Sequence, residues 1–300
     1  MYTEFVSSDG LVRDGEKSVR KLDIFDSERP IGIQLYGHIR DAMVEAALMA
    51  EEAKPELIDI NFGCPVKKIA GRGAGAGMLR NIPLMISMTG DIVRAVKLPV
   101  TVKTRLGWDE ASRNIVEVAE MLQDAGIKAL TIHGRTRAQM YKGEADWTLI
   151  GEVKNNPRMK IPIIGNGDID GPVKAREMFS RYGVDAIMIG RATVGRPWIF
   201  REIRHYLEKG ELLPEPSVTE KARIALLHLE ESLRFKQGRR AILEMRRHLS
   251  NYFKGLPDFR DTRLRLLTAE EPEEIRLIID EICKRWGDFR SADRTSVYGI

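Results

Sequence analysis

Residues 57–67 read Leu-Ile-Asp-Ile-Asn-Phe-Gly-Cys-Pro-Val-Lys and carry one of only two cysteines in the 300-residue chain. Gly63 and Pro65 mark a turn after an apolar strand, so Cys64 stands just past a strand end. A cysteine thiol is mostly protonated at neutral pH, so it can give up a proton as well as act as a nucleophile. Asn61, three residues earlier, brings an amide that offers both a donor and an acceptor to a planar heterocycle.

Lys103 and Arg105 end the run Val-Thr-Val-Lys-Thr-Arg and share a face by strand periodicity. A lysine in an apolar strand is costly unless it meets an anion or loses its charge. Two uses stay open: a Schiff-base nucleophile, or a cation facing the electron-rich edge of a flavin. His133 ends another strand, with Arg135 and Arg137 beyond it. The glycine-rich stretch 71–81 fits neither a Walker A loop nor G-x-G-x-x-G, and reads as a flexible loop able to close over a bulky substrate. Gly-rich turns at 165–168 and 190–191 follow two further strands. There Asn166, Gly167, Asp168, Gly190 and Arg191 suit a phosphate and its polyol tail.

Seven β-rich runs alternate with amphipathic stretches at 40–54, 83–96, 111–125 and 172–182. Continuous apolar strands separated by helices predict a parallel sheet buried on both faces. Polar residues end nearly every strand: Gln34, Asn61, Lys103, His133, Asn166 and Arg191. Such an even distribution favours a closed α/β (β/α)8 TIM-type barrel, whose strand ends converge on one mouth, over an open doubly wound sheet. A barrel of this type has eight strands, so the first strand is expected to precede Met1. A missing strand would leave two sheet edges open to pairing.

After Arg191 no strand is apparent, and 219–235, 239–253 and 272–286 read as helices. The expected division is a catalytic barrel over 1–208 and a small all-α domain over 217–300. Two distant cysteines make neither a disulfide framework nor a metal site, and no metal is expected. The chain shows no signal peptide and no bilayer-spanning run, so a cytoplasmic protein is expected. A formal charge of +4 permits a polyanionic partner. Its clustering says more: from Gly238 to Arg265 eight Lys/Arg stand against three Asp/Glu. Arg240 and Arg247 lie opposite the apolar stripe Ile242, Met245, Leu249 and Phe253, a pattern that follows nucleic-acid phosphates.

Together these stretches resemble the tRNA-dihydrouridine synthases, through Ile-Asp-Ile-Asn-Phe-Gly-Cys-Pro, Val-Thr-Val-Lys-Thr-Arg-Leu-Gly-Trp-Asp, Leu-Thr-Ile-His-Gly-Arg-Thr-Arg and Ile-Pro-Ile-Ile-Gly-Asn-Gly-Asp. The run Gly-Arg-Pro-Trp-Ile-Phe and the later Met-Arg-Arg-His-Leu-Ser-Asn-Tyr-Phe-Lys-Gly lean toward the bacterial type B branch. The resemblance implies an FMN-dependent reductase that uses NADPH to saturate the uracil C5–C6 bond in tRNA. Cys64 would be its proton donor, with Asn61 and Arg105 at the substrate. Gln34, Lys103 and His133 would meet the isoalloxazine, and Asn166, Gly167, Asp168, Gly190 and Arg191 the cofactor phosphate. Arg239, Arg240, Arg246, Arg247 and Lys254 would bind tRNA. No membrane or protein partner is implied, and a monomer is expected. The family's first strand has no counterpart here, so weak FMN binding is expected of this chain, and a tRNA-binding protein without catalysis is one alternative. Another is a second type of FMN barrel such as a dihydroorotate dehydrogenase, which would not need the basic helical part. A lysine-based aldolase would leave Asn61 and Cys64 unexplained.

Overall fold

A computed structural model describes residues 1–13, 15–236 and 238–290. Its seven strands are β1 (Val6–Ser7), β2 (Gly32–Tyr36), β3 (Leu57–Asn61), β4 (Val100–Arg105), β5 (Ala129–His133), β6 (Ile163–Asn166) and β7 (Ala186–Met188). All neighbours are parallel and the order is β1-β2-β3-β4-β5-β6-β7, the sequential winding of a TIM-type barrel. Among the described residues β1 and β7 each have one neighbour. Strands β2 to β5 are buried almost throughout because helices cover one face while their other side chains fill the interior.

The helix Ile82–Ala95 starts where Asn81 accepts a hydrogen bond from the Leu84 amide, with Pro83 in its first turn. Gly126 and Gly183 stand just after helices, with φ of 100° and 66°, values a side chain would resist. The registers carry the main consequence for function. Gln34 is opposite Asp59, Asn61 opposite Lys103, Arg105 opposite His133, and His133 opposite Asn166. Residues from five strands therefore meet along one end of the sheet.

The chain divides into two compact units. The first is Met1–Asp168 with Glu177–Met188 and contains the whole sheet. The second is Ile169–Arg176 with Ile189–Ile300. Within the second, the helices Val218–Phe235, Arg239–Tyr252, Arg260–Thr268 and Pro272–Trp286 surround a core that includes Leu229, Ile242, Met245, Leu249, Phe253, Ile278 and Ile282. The helix Arg260–Thr268 occupies a stretch without a clear sequence pattern. Its pairing is decided by packing, since only Thr262 and Leu266 are buried. Among the described residues no helix is long and apolar enough to cross a membrane.

Candidate active site

The site is built outward from a carboxylate the sequence reading passed over. Asp59 is fully buried and accepts hydrogen bonds from Thr101 Oγ1 and from Gln34 Nε2, each at 2.6 Å. That donation turns Gln34 Oε1 toward Asn61, whose Nδ2 donates to it at 2.7 Å. Asn61 Oδ1 is then left to accept from the main-chain amides of Gly63 and Cys64, both at 2.9 Å. A fixed acceptor at one end thus sets the orientation of two amides and the turn that carries the thiol. Burial pushes the Asp59 carboxyl up to about 6, although Thr101, Gln34 and the charge of Lys103 all pull the other way. Its signal was present in the sequence, as an acid two positions before Asn61 on the same face of an otherwise apolar strand.

Cys64 is 7% exposed and walled in by the glycine-rich segment. The Ala76 amide donates to the Cys64 carbonyl at 3.1 Å. A Cβ on Gly75, whose φ is +54°, would stand 3.0 Å from the Cys64 Cβ. The segment expected to be a flexible lid is instead a buried 3-10 helix, Gly75–Arg80, and its glycine allows the close approach.

Arg105, 2% exposed, donates from Nε to the Gly63 carbonyl at 2.7 Å and from Nη1 to the carbonyls of Thr136 and Met140. It ties the cysteine turn to the loop after β5. Burial brings its guanidinium down to about 10, offset by the Tyr141 hydroxyl and the Cys64 thiol. Lys103 donates to Asn166 Oδ1 at 3.1 Å, and Asn166 Nδ2 donates to the Met188 carbonyl. Burial first, then the charge of Arg105, lowers Lys103 to about 8, while Asp59 and Cys64 partly compensate. His133 is brought to about 2 by burial and by Arg105, Lys103 and Arg135, so its ring is neutral. Nε2 of that ring lies 3.4 Å from Arg135 Nη1.

The turn after β6 differs from the phosphate cradle the sequence suggested. Asp168 forms a two-pronged ion pair with Arg135, at 2.9 and 2.6 Å, and also accepts from the Ala145 amide. Its carboxylate is committed to holding the loop after β5 and would repel a phosphate. Gly167, at φ +130°, is required because a Cβ would come within 2.6 Å of Ala145 Cβ. Gly190 and Arg191 belong to the second unit, where Gly190 precedes the short 3-10 turn Arg191–Thr193 and accepts from Thr193.

The basic residues of the second unit divide sharply. Arg239 pairs with Glu270 and Arg240 with Glu244. Arg246 donates to the carbonyls of Thr268 and Ala269 and so closes the end of the helix Arg260–Thr268. Among the described residues no carboxylate pairs with Arg247 or Lys254. Lys254 joins Arg260 and Arg263 around Phe259 in a groove of about 470 Å3 that no acid lines. Arg260 and Arg263 were counted in the basic run but not singled out. Only the fold shows that they converge.

The strand order defines a parallel α/β-barrel protein, and its polar strand tips gather along one rim. The dihydrouridine synthase family model matches residues 1–283. tRNA-dihydrouridine synthase B of Pseudomonas aeruginosa is 42% identical over 261 residues, covering 87% of this chain and 78% of that one. The Escherichia coli protein of the same name is 41% identical over 252 residues, covering 84% and 78%. A probable tRNA-dihydrouridine synthase of Rickettsia prowazekii is 36% identical, covering 93% and 85%. Among solved structures, a histamine dehydrogenase from Rhizobium sp. 4-9 has the same fold over 70% of this chain and 41% of its own, with a TM-score of 0.50 and 13% identity. The chain belongs to the dihydrouridine synthase family.

Proposed function

We propose that this chain is a tRNA-dihydrouridine synthase that uses FMN and NADPH to reduce the C5–C6 bond of a uracil in tRNA. The observation that carries this reading is the Cys64 turn, held by Asn61 and Arg105 beside a half-buried lysine that lacks a bonded carboxylate among the described residues.

The donor set fits a flavin. Lys103 is desolvated, and its bonded partner among the described residues is the neutral amide of Asn166. Such a cation is stabilised by an electron-rich ring edge, and Gln34 and the neutral His133 offer uncharged hydrogen-bonding groups from nearby strand tips. When bound, FMN supplies the hydride for uracil C6. Cys64 supplies the other half of the reduction by holding a proton on Sγ and delivering it to C5. The sulfur is left as a thiolate until solvent returns the proton. Asn61 holds the Cys64 amide and so sets the height of the sulfur above the rim. In the first unit, taken by itself, the main chain of Gly167 is a candidate to bind the cofactor phosphate. Residues 1–208 carry the chemistry and 217–300 grip the tRNA, through Arg247 and Lys254 rather than the ion-paired Arg239 and Arg240. We place the protein in the cytoplasm, as a monomer.

The test is to incubate the purified chain with FMN, NADPH and unmodified tRNA and to measure dihydrouridine by mass spectrometry. Wild type should form it, and Cys64→Ala should retain flavin while losing at least ~100-fold in rate, the usual scale of a positioned acid. Wild-type protein that binds tRNA but takes up no flavin would overturn the enzymatic reading and leave a tRNA-binding protein.

A further inference from the structure

Beyond the residues considered so far, three side chains from separate segments converge at the strand-end side of the first unit. The Cζ of Arg137 lies 4.6 Å from the centre of the Trp108 ring, and that of Arg80 lies 5.1 Å from the same ring. Resting on the reading above, we propose that Arg80, Trp108 and Arg137 form a clamp for the phosphodiester of a nucleotide next to the uridine that is reduced.

The clamp is built in advance of any ligand. The Arg137 amide donates to the Gly107 carbonyl and the Ala138 amide to the Trp108 carbonyl, each at 2.9 Å, which continues the β4–β5 pairing past the strands. Gly107 leaves no room for a side chain, since a Cβ would sit 2.0 Å from the Ser112 carbonyl oxygen. The indole is therefore held on a rigid corner, and each guanidinium gains from the face of the ring.

Charge points to an anion. Among the described residues no carboxylate pairs with Arg80 or Arg137, and Arg137 Nε is buried with no hydrogen-bond partner. Three acids close in sequence are occupied: Asp109 by Ser112, Glu110 and Asp146 by Arg113. Arg137 also presses on Arg105 electrostatically, so this rim brings like charges together. Such a set is costly unless a ligand brings negative charge.

Position makes that ligand part of the RNA strand. Gly75 touches Cys64 and begins the 3-10 helix that ends at Arg80. At about 2 Å per residue the helix carries the backbone of Arg80 roughly 10 Å along from Gly75, on the scale of the spacing to a neighbouring nucleotide. A uridine must leave its stack to reach a strand-end pocket, and holding the adjacent backbone keeps it unstacked.

Binding of an unmodified tRNA transcript to the full chain, read across a salt series without turnover, tests this. Arg80→Gln with Arg137→Gln should weaken binding about tenfold near 0.1 M salt and make the slope of log K against log salt shallower by about 1 to 2. Arg80→Lys with Arg137→Lys should restore the slope, and circular dichroism verifies the fold of both. An unchanged slope and affinity in the glutamine variant would overturn the clamp. So would a loss confined to the KM for NADPH, which would assign the two arginines to a dinucleotide phosphate. A wild-type chain that forms no dihydrouridine, with the salt effect intact, would count against the proposed activity and not against the clamp.

Discussion

The strand-tip site of the first unit and the basic surface of the second use positive charge in opposite ways. Arg105 is buried and Lys103 half-buried, and among the described residues both bond to neutral amide or carbonyl groups and to no carboxylate, so their charge remains for a ligand. In the helical unit Arg239, Arg240 and Arg265 are exposed, Arg276 is half-buried, and each is bonded to a glutamate. Exposed pairs of that kind contribute about 0 to 1 kcal/mol and are screened by salt. The contrast shows that a count of basic residues measures little until the partner of each is known.

The largest effect expected from breaking this contrast is at Lys103. Replacing it by Met should lower the rate of dihydrouridine formation at least ~100-fold in single-turnover assays, because no other described cation bonds to Asn166. Asp59→Ala should come next, destabilising the fold by about 3 kcal/mol in urea titrations, since it strands the donors of Gln34 and Thr101 in the interior.

The same carboxyl makes stability depend on pH. With the folded value raised to about 6 from an ordinary 3.8, the folded state binds more protons across that window. This contribution to stability is therefore greatest below pH 4 and is lost as pH rises toward 6. Asp59→Asn should flatten that part of a thermal-midpoint profile. Gly75→Ala should cost about 1 to 2 kcal/mol, from its positive φ and from the 3.0 Å approach to Cys64, and should lower activity by moving the sulfur. The smallest effect sharpens the comparison in the second unit. Arg240→Gln should change tRNA affinity less than about twofold, whereas Arg247→Gln with Lys254→Gln should weaken it several-fold in the same filter-binding assay.

Much of the architecture was legible along the chain. Apolar runs separated by amphipathic stretches announced a parallel sheet, and the polar residue closing each run located the rim. Ile242, Met245, Leu249 and Phe253 marked a buried face. Other features were not legible. The glycine-rich segment read as a mobile loop because its burial comes from packing against Cys64 and not from its own composition. Asp168 read as part of a phosphate turn because its partner, Arg135, lies on another loop.

The sequence by itself determined where strands end and which polar groups stand at those ends, since both follow from local periodicity and turn chemistry. Only the tertiary structure decided which of those groups are spent and which are available. Hydrogen bonds such as Gln34 to Asp59 and Arg105 to Thr136 join residues 25 and 31 positions apart. No local pattern encodes such a pairing, and the free energy of a buried polar group depends on it.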